Sequence, residues 1–175
     1  MNYSELATAA FDKTRIAILS ADNSIALLLH KIAKANSVSF ELVSSNNGQF
    51  GEDFIAISSE NPENISQFQP NVLFITQKSE GMADETLLRN ITGGGILVYP
   101  EDTQLPTTEN YFRKIPYSKP DFTNNGGNLL LPTEMGSIPV PSEYENIMED
   151  ILGLQQICQQ IGIMEEDFFE TLMSA

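Results

Sequence analysis

The chain has one cysteine, one histidine and no tryptophan in 175 residues. A lone Cys158 rules out an internal disulfide framework and any zinc site built from several cysteines of one chain. A lone His30 has no second histidine to join it in a metal centre. Basic residues are scarce as well: nine Lys and Arg stand against 24 Asp and Glu, a formal net charge of -15. Such a charge repels phosphate backbones and anionic membranes, because binding either needs clustered Lys and Arg. Neither nucleic acid nor a membrane is therefore expected as a partner. The scarcity is uneven, since no basic residue follows Lys119. That last stretch reads as a solvated acidic face; the sharper alternative is a docking surface for a basic partner. Apolar runs are short, and none approaches the ~20 residues of a membrane-spanning helix. The opening MNYSELATAAFDKTR lacks the basic segment and long apolar core of a secretory signal. A reducing cytoplasm is the expected compartment.

What is present suits one packed domain: 41% of the residues are hydrophobic. Residues 1–14 read as a short amphipathic helix or an extended arm, and 15–175 as a single domain. Residues 16–19 form an apolar run suited to a buried parallel strand. Residues 20–23 have turn chemistry, and Asp22, Asn23 or Ser24 can cap the helix that follows. In that helix Ile25, Leu28, Leu29 and Ile32 recur at helical spacing and define a buried face, with His30, Lys31 and Lys34 away from it. Further strands are expected at 39–43, 54–57, 71–76 and 96–99, a turn at Asn46, Asn47 and Gly48, and a helix at 83–91. Strands alternating with helices predict an α/β fold with a mostly parallel sheet. After Pro100 the composition shifts. Residues 111–140 are rich in Pro, Gly and Asn and read as a small antiparallel appendage, with strands at 129–131 and 137–140. Ile147, Ile151, Leu154, Cys158 and Ile161 then form a helical stripe that Gly162 ends. A last helix follows, with Glu165, Glu166 and Asp167 in its first turn and Phe168, Phe169 and Leu172 on its apolar face.

Four segments carry a resemblance. GLQQICQQIGIMEEDFFETL (153–172) resembles the end of the Mur ligase central domain, most of all in the murein peptide ligase branch, which joins a tripeptide to UDP-N-acetylmuramate. IAILSADNSIALLLHKIAKA resembles that family's phosphate loop and helix. NVLFIT is similar to the strand before its acidic–histidine segment, and GGGILVYPED to its later glycine–strand–acidic segment. The order fits across about residues 15–173. The resemblance implies a three-layer α/β/α fold of the P-loop NTPase type, with the β appendage. It also implies that the family's flanking UDP-sugar and C-terminal ligase domains are absent from this chain.

The chemistry that the resemblance implies is not matched residue by residue. A phosphate loop needs glycines for its path, a Lys on the phosphates and a Ser or Thr hydroxyl on Mg²⁺. Here Ser20 replaces the first Gly and Asn23 the second, Ser24 stands for the Lys, and Ile25 for the metal-binding Thr; Ala21 and Asp22 complete the loop. Asp22 adds negative charge where phosphates would sit. At the acidic–histidine positions the chain has Gly81 and Met82, flanked by Glu80 and Asp84. The carboxylate segment after the third strand offers only Glu60. The family's His-Asn pair falls near Asn146 and Ile147, with Asp150 at a following Asn.

Other candidates have plainer readings. His30 reads as a solvated side chain, and Cys158, on an apolar stripe, as a buried structural thiol. Asp22 and Ser24 read as helix caps, although the backbone of residues 20–24 offers a small anion a helix N-terminus. Residues 93–95 precede a strand and read as a turn. Glu101 and Asp102 read as solvated loop residues. Glu165, Glu166 and Asp167 complement a helix dipole rather than hold a metal. The expected molecule is a catalytically inactive, stand-alone relative of the Mur ligase central domain, with no cofactor and no metal, acting on a protein partner or as a homo-oligomer. The alternatives are a small-molecule binding module using the degenerate loop crevice, for an uncharged or cationic ligand, and a ligase subunit completed by another chain.

Overall fold

Residues Thr14–Leu19 form β1, buried at every position after Thr14. A strand covered on both faces needs a continuous apolar run, which IAIL supplies. Ile16 and Ile18 enter one hydrophobic core, while Ala17 and Leu19 enter a second on the opposite face. The same division recurs in β4 (Val72–Ile75). With β2 (Phe40–Leu42), β3 (Phe54–Ser59), β5 (Ile96–Pro100) and β6 (Arg113–Tyr117), these strands make a six-stranded sheet in the order β2-β3-β1-β4-β5-β6. Every pairing in it is parallel. The computed structural model describes residues 1–44 and 49–175, so the turn expected at Asn46, Asn47 and Gly48 lies outside the described residues.

Helices α1 (Tyr3–Ala9), α3 (Pro62–Phe68) and α4 (Glu85–Arg89) cover one face through Leu6, Ile65, Phe68, Leu87 and Leu88. Helices α2 (Ser24–Ala35), α5 (Ile151–Gln160) and α6 (Glu165–Ser174) cover the other. On that side lies an antiparallel sheet of β7 (Thr123–Asn125), β8 (Asn128–Thr133) and β9 (Gly136–Pro141), whose Leu129, Leu131 and Val140 join the same core. The expected three-layer α/β/α architecture with its antiparallel appendage is thus observed.

Three expectations need correction. The appendage is narrower than 111–140, because Arg113–Tyr117 pairs with β5 as the sixth strand of the main sheet. It reads as polar because an edge strand is covered on fewer sides; of RKIPY only Tyr117 is buried. The helix expected at 83–91 is present but shorter, as α4, and a 3₁₀ stretch that was not expected, Gln77–Met82, precedes it. Helix α3 was not expected at all. Its start has a full signal nonetheless: Asn61 Oδ1 accepts from the Glu63 N–H at 2.9 Å, with Pro62 in the first turn.

Two local arrangements fix how the layers meet. Gly153 brings α5 onto the sheet: a Cβ there would sit 2.6 Å from Phe74 Cε2 and 2.9 Å from Tyr117 Cδ1. Arg15, 7% exposed, clasps the ends of two helices. Its Nε donates to the carbonyl of Gln69 at 3.0 Å, and its Nη1 to those of Ala10 (3.3 Å) and Phe11 (3.2 Å). Ala10 and Gln69 are the C-terminal caps of α1 and α3, where the helix dipole is negative. The buried guanidinium is thereby compensated by carbonyls; among the described residues no carboxylate pairs with it.

Candidate functional site

From β1 the chain passes through α2 to one side of the sheet; from β4 it proceeds to the other. In parallel sheets the crevice for ligands opens at such a switch point, beyond the strand C-termini. Here that crevice is bounded by residues 20–23 after β1 and by Thr76 and Gln77–Met82 after β4. The two strand ends are stitched together. Thr76 donates to the Leu19 carbonyl through both its N–H (3.2 Å) and its hydroxyl (2.9 Å). Ser20 is buried, and its N–H donates to the Ser59 carbonyl at 3.0 Å.

The loop itself is built without glycine. Among the described non-glycine residues only Ser37 and Gln69 have a positive φ, so Ser20, Ala21, Asp22 and Asn23 follow a path open to ordinary side chains. Asn23 occupies the N-cap position of α2 but makes no side-chain cap bond. Asp22 does that work: its Oδ1 accepts from the Ser24 N–H at 2.8 Å. The bonds from Ser24, with a smaller contribution from Lys78, hold the Asp22 carboxyl below the usual range against a small opposing effect of burial. The helix N-terminus therefore already carries an anion, supplied by the chain. One residue on, Ile25 is 2% exposed and packed in the core.

The flanking candidates are dispersed and not brought together around the loop. Asp84 caps α4, accepting from the Leu87 N–H at 2.7 Å. Glu60 is exposed, and Ser59 and Asn61 beside it serve the start of α3. Glu80 Oε2 accepts from the Thr103 hydroxyl at 3.4 Å, while Gly81 and Met82 are exposed. Glu101 and Asp102 lie in an exposed loop. Asn146 is exposed and Ile147 buried, both within the 3₁₀ stretch Ser142–Asp150. Residues 93–95 form a turn in which Gly95 is required: a Cβ would meet the Asn71 carbonyl oxygen at 2.6 Å. Glu165, Glu166 and Asp167 sit in the first turn of α6. No cluster of three or more His, Cys, Asp or Glu able to hold a metal occurs among the described residues. Cys158 is fully buried, and burial pushes its thiol up to about 12. His30 departs from the solvated reading: it is half-buried, its ring lies edge-on to Phe40 at 6.0 Å, and its Nδ1 is buried with no partner among the described residues.

Asp150, which the sequence offered only as the counterpart of a family Asn, has contacts at this rim that sequence reasoning did not foresee. Its Oδ1 lies 2.7 Å from the Gln77 amide nitrogen and 2.6 Å from the Tyr117 hydroxyl, which also lies 2.9 Å from the Ile75 carbonyl oxygen. These contacts tie the end of the 3₁₀ stretch to the ends of β4 and β6. Lys78 was passed over; it stands near enough to Asp22 and Asp150 to favour both carboxylates. A cleft of 270 Å³ opens on the outer side of α2, lined in part by Ser24, Leu27, Tyr144 and Asn146. No helix among the described residues is long and apolar enough to cross a membrane.

No family model and no curated protein matches this chain. Solved structures do. The chain is similar to MurF from Acinetobacter baumannii, with a TM-score of 0.67 at 13% identity over 99% of this chain and 48% of that one. It is equally similar to the UDP-N-acetylmuramate:L-alanyl-gamma-D-glutamyl-meso-diaminopimelate ligase from Neisseria meningitides: TM-score 0.67, 10% identity, 98% of this chain and 69% of that one. MurF from Thermotoga maritima, solved in complex with ADP, gives 0.62 at 13% identity, over 99% and 52%. The chain thus spans about half the length of the MurF structures it matches. These likenesses show the fold: a parallel sheet between helix layers, with an antiparallel sheet, as in the Mur ligase central domain.

Proposed function

We propose that this chain is a catalytically inactive relative of the Mur ligase central domain that works by binding another protein or a second copy of itself in the cytoplasm. In this reading residues 15–175 act as one unit behind the segment 1–14, and the chain uses neither cofactor nor metal. The observation that carries it is the state of the loop. Asp22 occupies the helix N-terminus with the chain's own carboxylate, and Ile25, at the position of a metal-binding hydroxyl, is packed in the core. A nucleotide phosphate would have to displace that carboxylate or lie against its charge. Isothermal titration with ATP, with and without Mg²⁺, tests the reading. No binding is expected; micromolar, Mg²⁺-dependent binding overturns it. Light scattering across a concentration series then separates self-association from a foreign partner.

A second reading has one observation in its favour: the 270 Å³ cleft beside Ser24. It suits a small uncharged or cationic molecule, and the substitution Leu27→Trp, filling the mouth, would abolish such binding. A third, a ligase subunit completed by another chain, needs the phosphate-binding lysine supplied in trans. Loss of ligase activity on deletion, restored by the purified chain, is the result that would favour it.

A further inference from the structure

A proton count at the rim leads beyond the reading above. Three polar contacts converge there: Gln77 N to Asp150 Oδ1 at 2.7 Å, Tyr117 Oη to the same Oδ1 at 2.6 Å, and Tyr117 Oη to the Ile75 carbonyl oxygen at 2.9 Å. The amide N–H accounts for the first. The other two are oxygen–oxygen contacts, and a phenol has one proton to place between them. One proton makes only one of them a full two-centre hydrogen bond; a second proton makes both, and the carboxyl is the group that can carry it. We propose that Asp150 is a protonated carboxylic acid that donates to Tyr117, which donates onward to Ile75, forming a latch that closes the stretch Ser142–Asp150 onto the ends of β4 and β6 and that weakens when the proton leaves for solvent.

The surroundings support this state. Asp150 and Tyr117 are 7% and 4% exposed, so a carboxylate there would be poorly solvated. Burial raises the Asp150 carboxyl above its usual range; the bonds from Tyr117 and Gln77 oppose this only in part. The charged groups facing the pair are Glu149, Glu80 and Lys78. Glu149 disfavours the carboxylate and Lys78 favours it. The Tyr117 phenol is pushed above its ordinary value, first by burial and then by Asp150, so it keeps its proton throughout. On ionisation Tyr117 turns its single proton to Asp150. The Ile75 carbonyl, 2.9 Å from the phenol oxygen, is then left facing lone pairs. Because the folded chain binds the extra proton, its stability falls as pH rises from the ordinary Asp value through the raised one.

The test is a carbon-detected NMR titration of aspartate carboxyls in wild type and Asp150→Asn, with urea unfolding of both across pH. One carboxyl carbon, absent from the variant, is expected to titrate above the ordinary aspartate range, and the Gln77 amide shift to follow it. The wild-type urea midpoint is expected to fall through the same pH window while that of the variant stays level. A midpoint for that carbon at or below the ordinary range overturns the proposal, as does a wild-type stability that rises through the window. Should the variant fail to fold, the Gln77 amide of the wild type assigns the carbon, and its midpoint alone decides.

Discussion

The substitution Ile25→Thr places a hydroxyl at the start of α2, and the structure says what that costs. Ile25 is 2% exposed within the core of α2, α5 and the sheet. The cost divides into two steps through Ile25→Val. Removing the methylene costs about 1 kcal/mol. Valine and threonine are nearly isosteric, so the second step isolates the burial of a hydroxyl, about 2 kcal/mol where it finds no partner. The sum is about 3 kcal/mol, roughly 6–12 °C in Tm for a chain of this size. Urea unfolding followed by far-ultraviolet circular dichroism reads both steps, and dichroism suits a chain without tryptophan. An unchanged m-value with a lower midpoint places the loss in the native state. If threonine proves as stable as valine, position 25 is wet enough to hold a hydroxyl. The argument that position 25 is closed by packing then fails.

Other outcomes follow from the same geometry. Arg15→Met keeps the aliphatic stem and strips three carbonyls of their donor; a loss of about 2–4 kcal/mol is expected, with faster amide exchange at the ends of α1 and α3. An unchanged or raised stability would mean that desolvation of the guanidinium outweighs its bonds. Gly153→Ala is expected to destabilise by about 1–3 kcal/mol, although alanine is the better helix former by about 1 kcal/mol, because its Cβ overlaps Phe74 and Tyr117. Native Cys158, its thiol pushed up to about 12, is expected to resist Ellman's reagent at pH 8 and to react only on unfolding. Fast stoichiometric reaction of the native chain would contradict its burial.

What was legible in the residues follows from how far each structural cause reaches. The interior strands were legible because burial on both faces forces a continuous apolar run, as in β1 and β4. The stripe from Ile147 to Ile161 was legible because helical spacing is local, even though Ile147 lies in the 3₁₀ stretch before α5. Strand β6 was not. An edge position lets RKIPY stay polar and hold Pro116, whose missing N–H costs little on an open edge. Helix α3 has a clear cap in Asn61, Pro62 and Glu63, but seven residues give too short a periodicity to set against that of the strands beside it.

The rim shows the same limit at the level of chemistry. The altered loop was legible because a phosphate site demands particular residues at neighbouring positions, and Ser20 to Ile25 can be checked one by one. Asp22 as a cap could be read for that reason, its donor being two residues away. Asp150 finds Tyr117 at a separation of 33 residues and Gln77 at 73. Nothing in the local pattern of any of the three requires the others; parallel crossovers bring Gln77 and Tyr117 together, and Asp150 arrives after the antiparallel sheet. Sequence therefore shows local chemistry far more readily than long-range contacts. In this chain both kinds of contact meet at one rim: Asp22 accepts from the Ser24 N–H two residues on, and Asp150 from the distant Gln77 N–H.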